Sequence, residues 1–243
     1  MLRCGTGGGG RSWGSALALA LALLATRGVA QEASKTEATS LQKTCDKGHL
    51  DACDNLGIAY AEGQGVRRDP KQAVALFEKS CKADDAKGCF NLGLSYTTGL
   101  NGEQDPARAA TFYEKACNKG YADGCFSLGL AYSRGNGVAK DATSSAMFLN
   151  KGCEAGSMSA CSSLGVAYMN GNGVAKDQKR AISLFEKSCN AAMPGGCLNL
   201  GFACLQGNGV EKNEERAKAL FVRGCELGLK PACNAYRRLT KHP

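Results

Sequence analysis

The residues with the most chemistry to offer in this chain are its cysteines. Of 14, twelve fall into two interleaved series. Cys45, Cys81, Cys117, Cys153, Cys189 and Cys225 are each 36 residues apart, and so are Cys53, Cys89, Cys125, Cys161, Cys197 and Cys233. Paired cysteines can hold a metal, exchange electrons or form a permanent bond. A structural zinc ion takes four ligands, whereas each 36-residue interval supplies two cysteines and the chain has 2 histidines, His49 and His242. A dithiol redox centre uses Cys-x-x-Cys, which does not occur here. A staple suits the spacing: the first cysteine of each pair ends one helical pattern and the second lies one turn into the next. Two pairings remain. Cys53–Cys81 and its equivalents would join the ends of one hairpin but leave Cys45 and Cys233 alone, whereas pairing at i, i+8 uses all twelve. The second is favoured, each bond closing a short loop worth roughly 2.5 kcal/mol in the chain-entropy model. The thirteenth, Cys204, takes the place that Tyr60, Tyr96, Tyr132 and Tyr168 hold in the other intervals. It is expected to be a free, buried thiol.

Other routes to catalysis are thinner. Ser40-Leu-Gln-Lys43 is a Ser-x-x-Lys sequence, but no Lys-Thr-Gly or Ser-Asp-Asn accompanies it as in serine β-lactamases. About one such match is expected by chance. A Ser/His/Asp triad would need His49 or His242, and both read as surface residues. No cofactor or metal is expected.

The elements that hold the cysteines follow from the same period, because an interval near 35 residues marks a helical solenoid. Cys125, Leu128, Gly129 and Tyr132 stand at i, i+3, i+4, i+7, one face of a helix. The pattern recurs at Cys53-Leu56-Gly57-Tyr60 and Cys89-Leu92-Gly93-Tyr96. Glycine inside a helix costs about 1 kcal/mol relative to alanine. Its recurrence at 57, 93, 129, 165 and 201 therefore predicts close approach of a neighbouring helix. The second helix of each unit starts at Asp69, Asp105, Asp141, Asp177 or Asn213, all good N-caps. Pro70 and Pro106 follow at the first helical position, and Gly120, Gly156 and Gly228 stop the helix. "GNGV" at 135–138, 171–174 and 207–210 reads as a turn, since it lacks the strand and Lys-Ser/Thr of a phosphate loop. Asn101 replaces a glycine in the second unit.

Residues 1–30 read as a secretory signal, with Arg3 and Arg11 before the ten-residue apolar run "ALALALALLA" and small residues up to Ala30. That run is too short to span a bilayer. Its removal takes Cys4 and three arginines, leaving 30 − 3 = 27 basic and 22 acidic side chains, a net of +5. The charges are mixed along the chain, which argues against nucleic acid as a partner. Export with regular cysteines points to a periplasmic or secreted disulfide protein.

"ACDNLGIAYAEGQGV" and "KDQKRAISLFEKSC" resemble the Sel-one-like repeat, a relative of the tetratricopeptide repeat. The added cysteine pair makes the chain similar to the secreted cysteine-rich Hcp proteins of bacteria, over residues 41–239. The resemblance implies an all-α fold: a right-handed α/α solenoid of 36-residue helix-turn-helix repeats with one disulfide per repeat. Capping helices are expected at about 32–47 and 230–239, within a single domain 31–243. Some relatives of this type are described as penicillin-binding or weak β-lactamases, and others bind peptides or proteins. The second role is favoured, with a monomer the expected state. In such folds the first helix of each repeat lines the concave surface. There Phe90, Phe126 and Leu198 form one apolar row and Leu94, Leu130 and Phe202 another. Asn55, Asn91 and Asn199 follow the first row by one position, and an extended peptide or helix is the expected ligand.

Overall fold

The computed structural model describes residues 32, 34–100 and 102–241. The segment read as a secretory signal, Cys4, Asn101 and His242 lie outside the described residues. Among those described there are twelve helices and no strand. Helix α1 (34–46) opens the chain. Five hairpins follow: α2 (Leu50–Glu62) with α3 (Pro70–Lys82), α4 (Ala86–Thr98) with α5 (Pro106–Asn118), α6 (Ala122–Arg134) with α7 (Ala142–Glu154), α8 (Met158–Asn170) with α9 (Gln178–Asn190), and α10 (Pro194–Gln206) with α11 (Glu214–Glu226). Helix α12 (Lys230–Lys241) closes the solenoid two residues beyond the expected end. We call the first helix of each hairpin A and the second B. In register α1 is a B helix, because 34 plus 36 is 70, the first residue of α3.

The glycines of the A helices explain how each hairpin closes. A Cβ on Gly57, Gly165 or Gly201 would lie 2.5–2.6 Å from the ring of Phe77, Phe185 or Phe221 on the following B helix. Tyr113 and Leu149 take the same place against Gly93 and Gly129. The gain that offsets helical glycine is thus one large B-helix side chain lying across the A-helix backbone. Leu56, Leu92, Leu128, Leu164 and Leu200 fill the space beside it, none more than 3% exposed. Truncating such a leucine costs about 2–5 kcal/mol.

The turns repeat with the helices. Each B helix starts at a capping side chain: Asp69, Asp105, Asp141, Asp177 and Asn213 all accept a backbone N–H from the first turn. The backbone N–H of each cap donates to the carbonyl nine residues earlier, at Tyr60, Tyr96, Tyr132, Tyr168 and Cys204. The second glycine of the A–B loop then locks neighbouring units. A Cβ on Gly137 or Gly173 would overlap the carbonyl of Pro106 or Ala142, the first residue of the previous B helix.

The B–A turn needs one left-handed residue per unit. Gly48, Gly120, Gly156 and Gly228 supply it, but the in-register positions in two units are Asp84 (φ 64°) and Ala192 (φ 59°). Aspartate tolerates this region through local hydrogen bonding, whereas alanine carries the full penalty of about 1–2 kcal/mol. The glycines at this turn have open space around them, so the cost is conformational alone. Ala192→Gly should therefore stabilise the protein by about 1 kcal/mol, offset in part by greater chain entropy when unfolded. In thermal unfolding we expect melting to rise by about 2–4 °C. An unchanged or lower melting temperature would show that Ala192 is not strained.

Candidate functional site

The structure contains six disulfides, all at a separation of 8: Cys45–Cys53, Cys81–Cys89, Cys117–Cys125, Cys153–Cys161, Cys189–Cys197 and Cys225–Cys233. Their Cα atoms are 4.4–4.7 Å apart. Each bond ties a B helix to the A helix of the next unit, so the staples lie at the joints between hairpins. Cys204 is a free cysteine, fully buried. Burial pushes its thiol pKa up, which keeps it protonated and a poor nucleophile. Ser40 and Lys43 are exposed on α1, and His49 is exposed at the start of α2. Among the described residues no three His, Cys, Asp or Glu side chains cluster as metal ligands. No helix among them is long and apolar enough to cross a membrane.

Phe90 and Phe126, expected in one row on the concave surface, pack against different clusters. The Phe90 ring packs 5.7 Å from Tyr113 and 5.1 Å from Tyr121, the residue that opens α6. Phe126 is half-buried against a separate cluster that includes Leu164 and Met158. Leu198 is half-buried against the cluster around Phe221. This row therefore fills the joints. The asparagines beside it are also engaged or enclosed. Asn55 accepts from the Lys87 ammonium at 3.0 Å, and the Asn199 amide donates to Ser162 Oγ at 3.2 Å. The Asn91 amide nitrogen is buried without a hydrogen bond.

The neighbouring row is the exposed one. Leu94 is 44%, Val166 38% and Phe202 40% exposed. With half-buried Ile58 and Leu130 they occupy one repeat position on α2, α4, α6, α8 and α10. Concavities open beside the row. One of about 440 Å³ lies among α6, α7 and α8, with Leu130 and Val166 in its wall. Another of about 370 Å³, between α10 and α12, is lined by Phe202, Leu205, Leu239 and Arg238. Phe202 rests edge-on against Phe221 at 5.1 Å. Val166 and Ile58 belong to this row but were not picked out by sequence reasoning. The 36-residue register from Leu94 would have found both.

Stacked antiparallel hairpins, buried joints and an apolar stripe define a disulfide-stapled helical-repeat scaffold. The model of the Sel1 repeat matches residues 50–85, 86–121, 122–157, 159–193 and 194–229, and the chain belongs to the Sel1-repeat family. It is similar in structure to a Sel1 repeat protein from Oxalobacter formigenes, with TM-score 0.77 and 24% identity over 90% of this chain and 86% of that one. It also resembles a protective antigen of uropathogenic Escherichia coli with an SLR fold, with TM-score 0.71 and 28% identity. That match covers 79% of this chain but 41% of the antigen, so the chain spans less than half the antigen's length. Cysteine rich protein B of Helicobacter pylori is 34% identical over 54% of this chain and 95% of its own, with TM-score 0.44. No curated protein matches the chain significantly.

One joint carries a buried acid. Asp54 holds the position of Phe90, Phe126, Ser162 and Leu198, and its side chain is 0% exposed. Neither carboxylate oxygen makes a hydrogen bond of ordinary geometry. Ser80 of α3, Asp85 at the cap of α4 and Lys87 lie around it. Burial, reinforced by the Asp85 carboxylate, raises its pKa to about 7 from the ordinary 3.8. Because the folded pKa is the higher one, the stabilising effect of the protonated form is complete below the unfolded pKa. It fades as pH rises through about 7. Each unit of displacement is about 1.4 kcal/mol, so ionised Asp54 costs the fold up to about 4 kcal/mol. Asp54→Asn should be the more stable protein at pH 8 by up to that amount, with the gap closing towards pH 4. Urea unfolding of both proteins across this range is the check. A gap independent of pH would mean that Asp54 does not titrate there.

Proposed function

We propose that the protein is an exported scaffold that holds a peptide or protein segment on the concave face formed by its A helices. The observation that carries this reading is the row Leu94, Val166 and Phe202, three large apolar side chains exposed at one repeat position. Aligned exposed apolar residues are a feature of interaction surfaces rather than of free monomer surface. The contacts between helices support the choice of face: α2 touches α4, α6 touches α8 and α8 touches α10. Such A-to-A contact suits the inner side of a superhelix. Export is supported by the six disulfides, which persist in oxidising compartments. The even mixture of charges supports a peptide or protein ligand over nucleic acid. The exposed Ser40–Lys43 pair lies on α1, far in register from the row, and nothing beside it favours β-lactam chemistry.

The row and the joints should separate cleanly in mutants. Leu94→Ser, Val166→Ser and Phe202→Ser together should weaken binding of a partner captured from the cell envelope by about 2 kcal/mol or more. Melting should fall less than in the joint variant below, by the amount that the covered part of the row and the Phe202–Phe221 contact contribute. Phe90→Ala with Phe126→Ala should instead cost about 3–5 kcal/mol of stability per ring, as for packed aromatics. Binding titration and thermal unfolding on both variants decide the matter. If the serine variant keeps full affinity while the alanine variant loses it per folded molecule, the ligand lies along the joints.

A further inference from the structure

A cleft of about 780 Å³ lies away from the A-helix row, where α1, the A–B loop after α2 and the start of α3 meet. Four cations line it: Lys35 on α1, Arg67 and Arg68 on the loop, and Lys71 in the first turn of α3. None of the four forms an ion pair among the described residues. The one acid in the wall, Asp69, is committed to capping α3, accepting the backbone N–H of Lys71 and Gln72. Arg68 is braced by donating its Nε–H to the Ala61 carbonyl at 2.9 Å.

The repeat supplies its own control. Shifting the four cation positions by one period gives Lys71, Glu103, Gln104 and Ala107, a sum of zero against +4. Two further shifts give +1 and +2, through Lys140 and then Lys176 with Lys179, and a fourth returns to zero. Solubility or the fold would not require such charge in one unit alone. The aromatic floor lacks the cover found in two other units. Arg108 covers Tyr96 and Arg180 covers Tyr168, with guanidinium carbons 5.6 and 5.4 Å from the ring centres. Gln72 stands at the equivalent position beside Tyr60, as Ser144 does beside Tyr132, and Tyr60 lines the cleft. The walls are held in place, because a Cβ on Gly65 would overlap the Ser34 carbonyl, locking the loop onto α1.

We propose that this cleft is a binding site for a ligand carrying two or more linked phosphate groups, recognised by side-chain cations rather than by a backbone cradle. Four cations in one wall, a net of +3 with Asp69, suit the charge of a di- or triphosphate, arginine forks pair two phosphate oxygens at once, and the volume is that of a small-molecule site. The phosphates can belong to a soluble compound or to a lipid headgroup, and the chemistry of the cleft is the same for both.

Titration calorimetry of the oxidised protein with tripolyphosphate, in ~0.1 M salt where exposed charges are screened beyond about 10 Å, tests this directly. We expect saturable binding of one tripolyphosphate per chain. Arg67→Gln, Arg68→Gln and Lys71→Gln together should weaken it at least about tenfold, with melting unchanged because all three side chains are exposed. Lys140→Gln with Lys176→Gln, in the equivalent places elsewhere, should leave it intact. Flotation with phosphatidylethanolamine vesicles, with and without a polyprenyl diphosphate, separates the sources. Capture by the diphosphate vesicles that the triple variant loses assigns a lipid headgroup, and tripolyphosphate binding without capture assigns a soluble ligand. The proposal is overturned if neither probe binds, or if the control pair weakens binding as much as the triple variant. The serine variant of the A-helix row should bind tripolyphosphate normally, so the two surfaces can fail independently.

Discussion

Close approach at the joints is the constraint on which the rest of this solenoid depends. A disulfide between helices can close only if the backbones come within a few ångströms, and here the bonded Cα atoms are 4.4–4.7 Å apart. The residues beside each bond must then be small on at least one side. Gly124 faces Ala116, Gly196 faces Ser188, Gly152 faces Ala160 and Gly224 faces Ala232, where an added Cβ would meet its neighbour at 2.6–3.0 Å. The pairs are reciprocal. Where the B helix carries alanine or serine, the A helix carries glycine; where the B helix carries glycine, the A helix carries alanine. One side of the joint yields space for the other, and the cysteine one position on is thereby brought into bonding range.

The staples change what kind of solenoid this is. Repeat arrays derive their stability from each unit and its contact with the next, so the joints are where such a chain would bend. A covalent bond at every joint, buried beneath packed residues such as Phe90, limits that bending. It fixes the spacing of whatever the A helices display. Leu94, Val166 and Phe202 therefore present a row of set geometry, and a ligand that matches it gains from preorganisation rather than from induced closure.

The period made most of the fold legible. The helix boundaries, the N-caps at Asp69 to Asn213, the hairpin glycines and the favoured cysteine pairing all repeat in phase, and repetition distinguishes a structural device from an accident. The exposed row was less legible. Phe90 and Leu94 lie four residues apart on one helix, both apolar and both recurrent. Periodicity cannot say which of them meets a neighbouring hairpin, because that depends on the angle between units. The structure resolves it through Tyr121, which closes over Phe90 and leaves Leu94 open.

Where function is concerned, the informative residues are the ones that break register. A repeat chain carries its own reference at every position, so a residue that differs from its five equivalents stands out without any comparison to relatives. Asp54 stands where three other units carry Phe90, Phe126 and Leu198 and a fourth carries Ser162, and the result is a carboxyl whose protonation is tied to the fit of the first two units. Gln72 stands where Arg108 and Arg180 cover a tyrosine, while Arg67 and Arg68 place two cations where each later loop has at most a single lysine. Later units break register too, at Ser144, Ser162 and Cys204, but without adding charge. The first hairpin keeps its caps, its glycine and its staple while it changes the residues around the joint and the cleft. Its charged departures therefore spare the positions that stacking uses, which is why the proposed cleft can carry charge without loosening the solenoid.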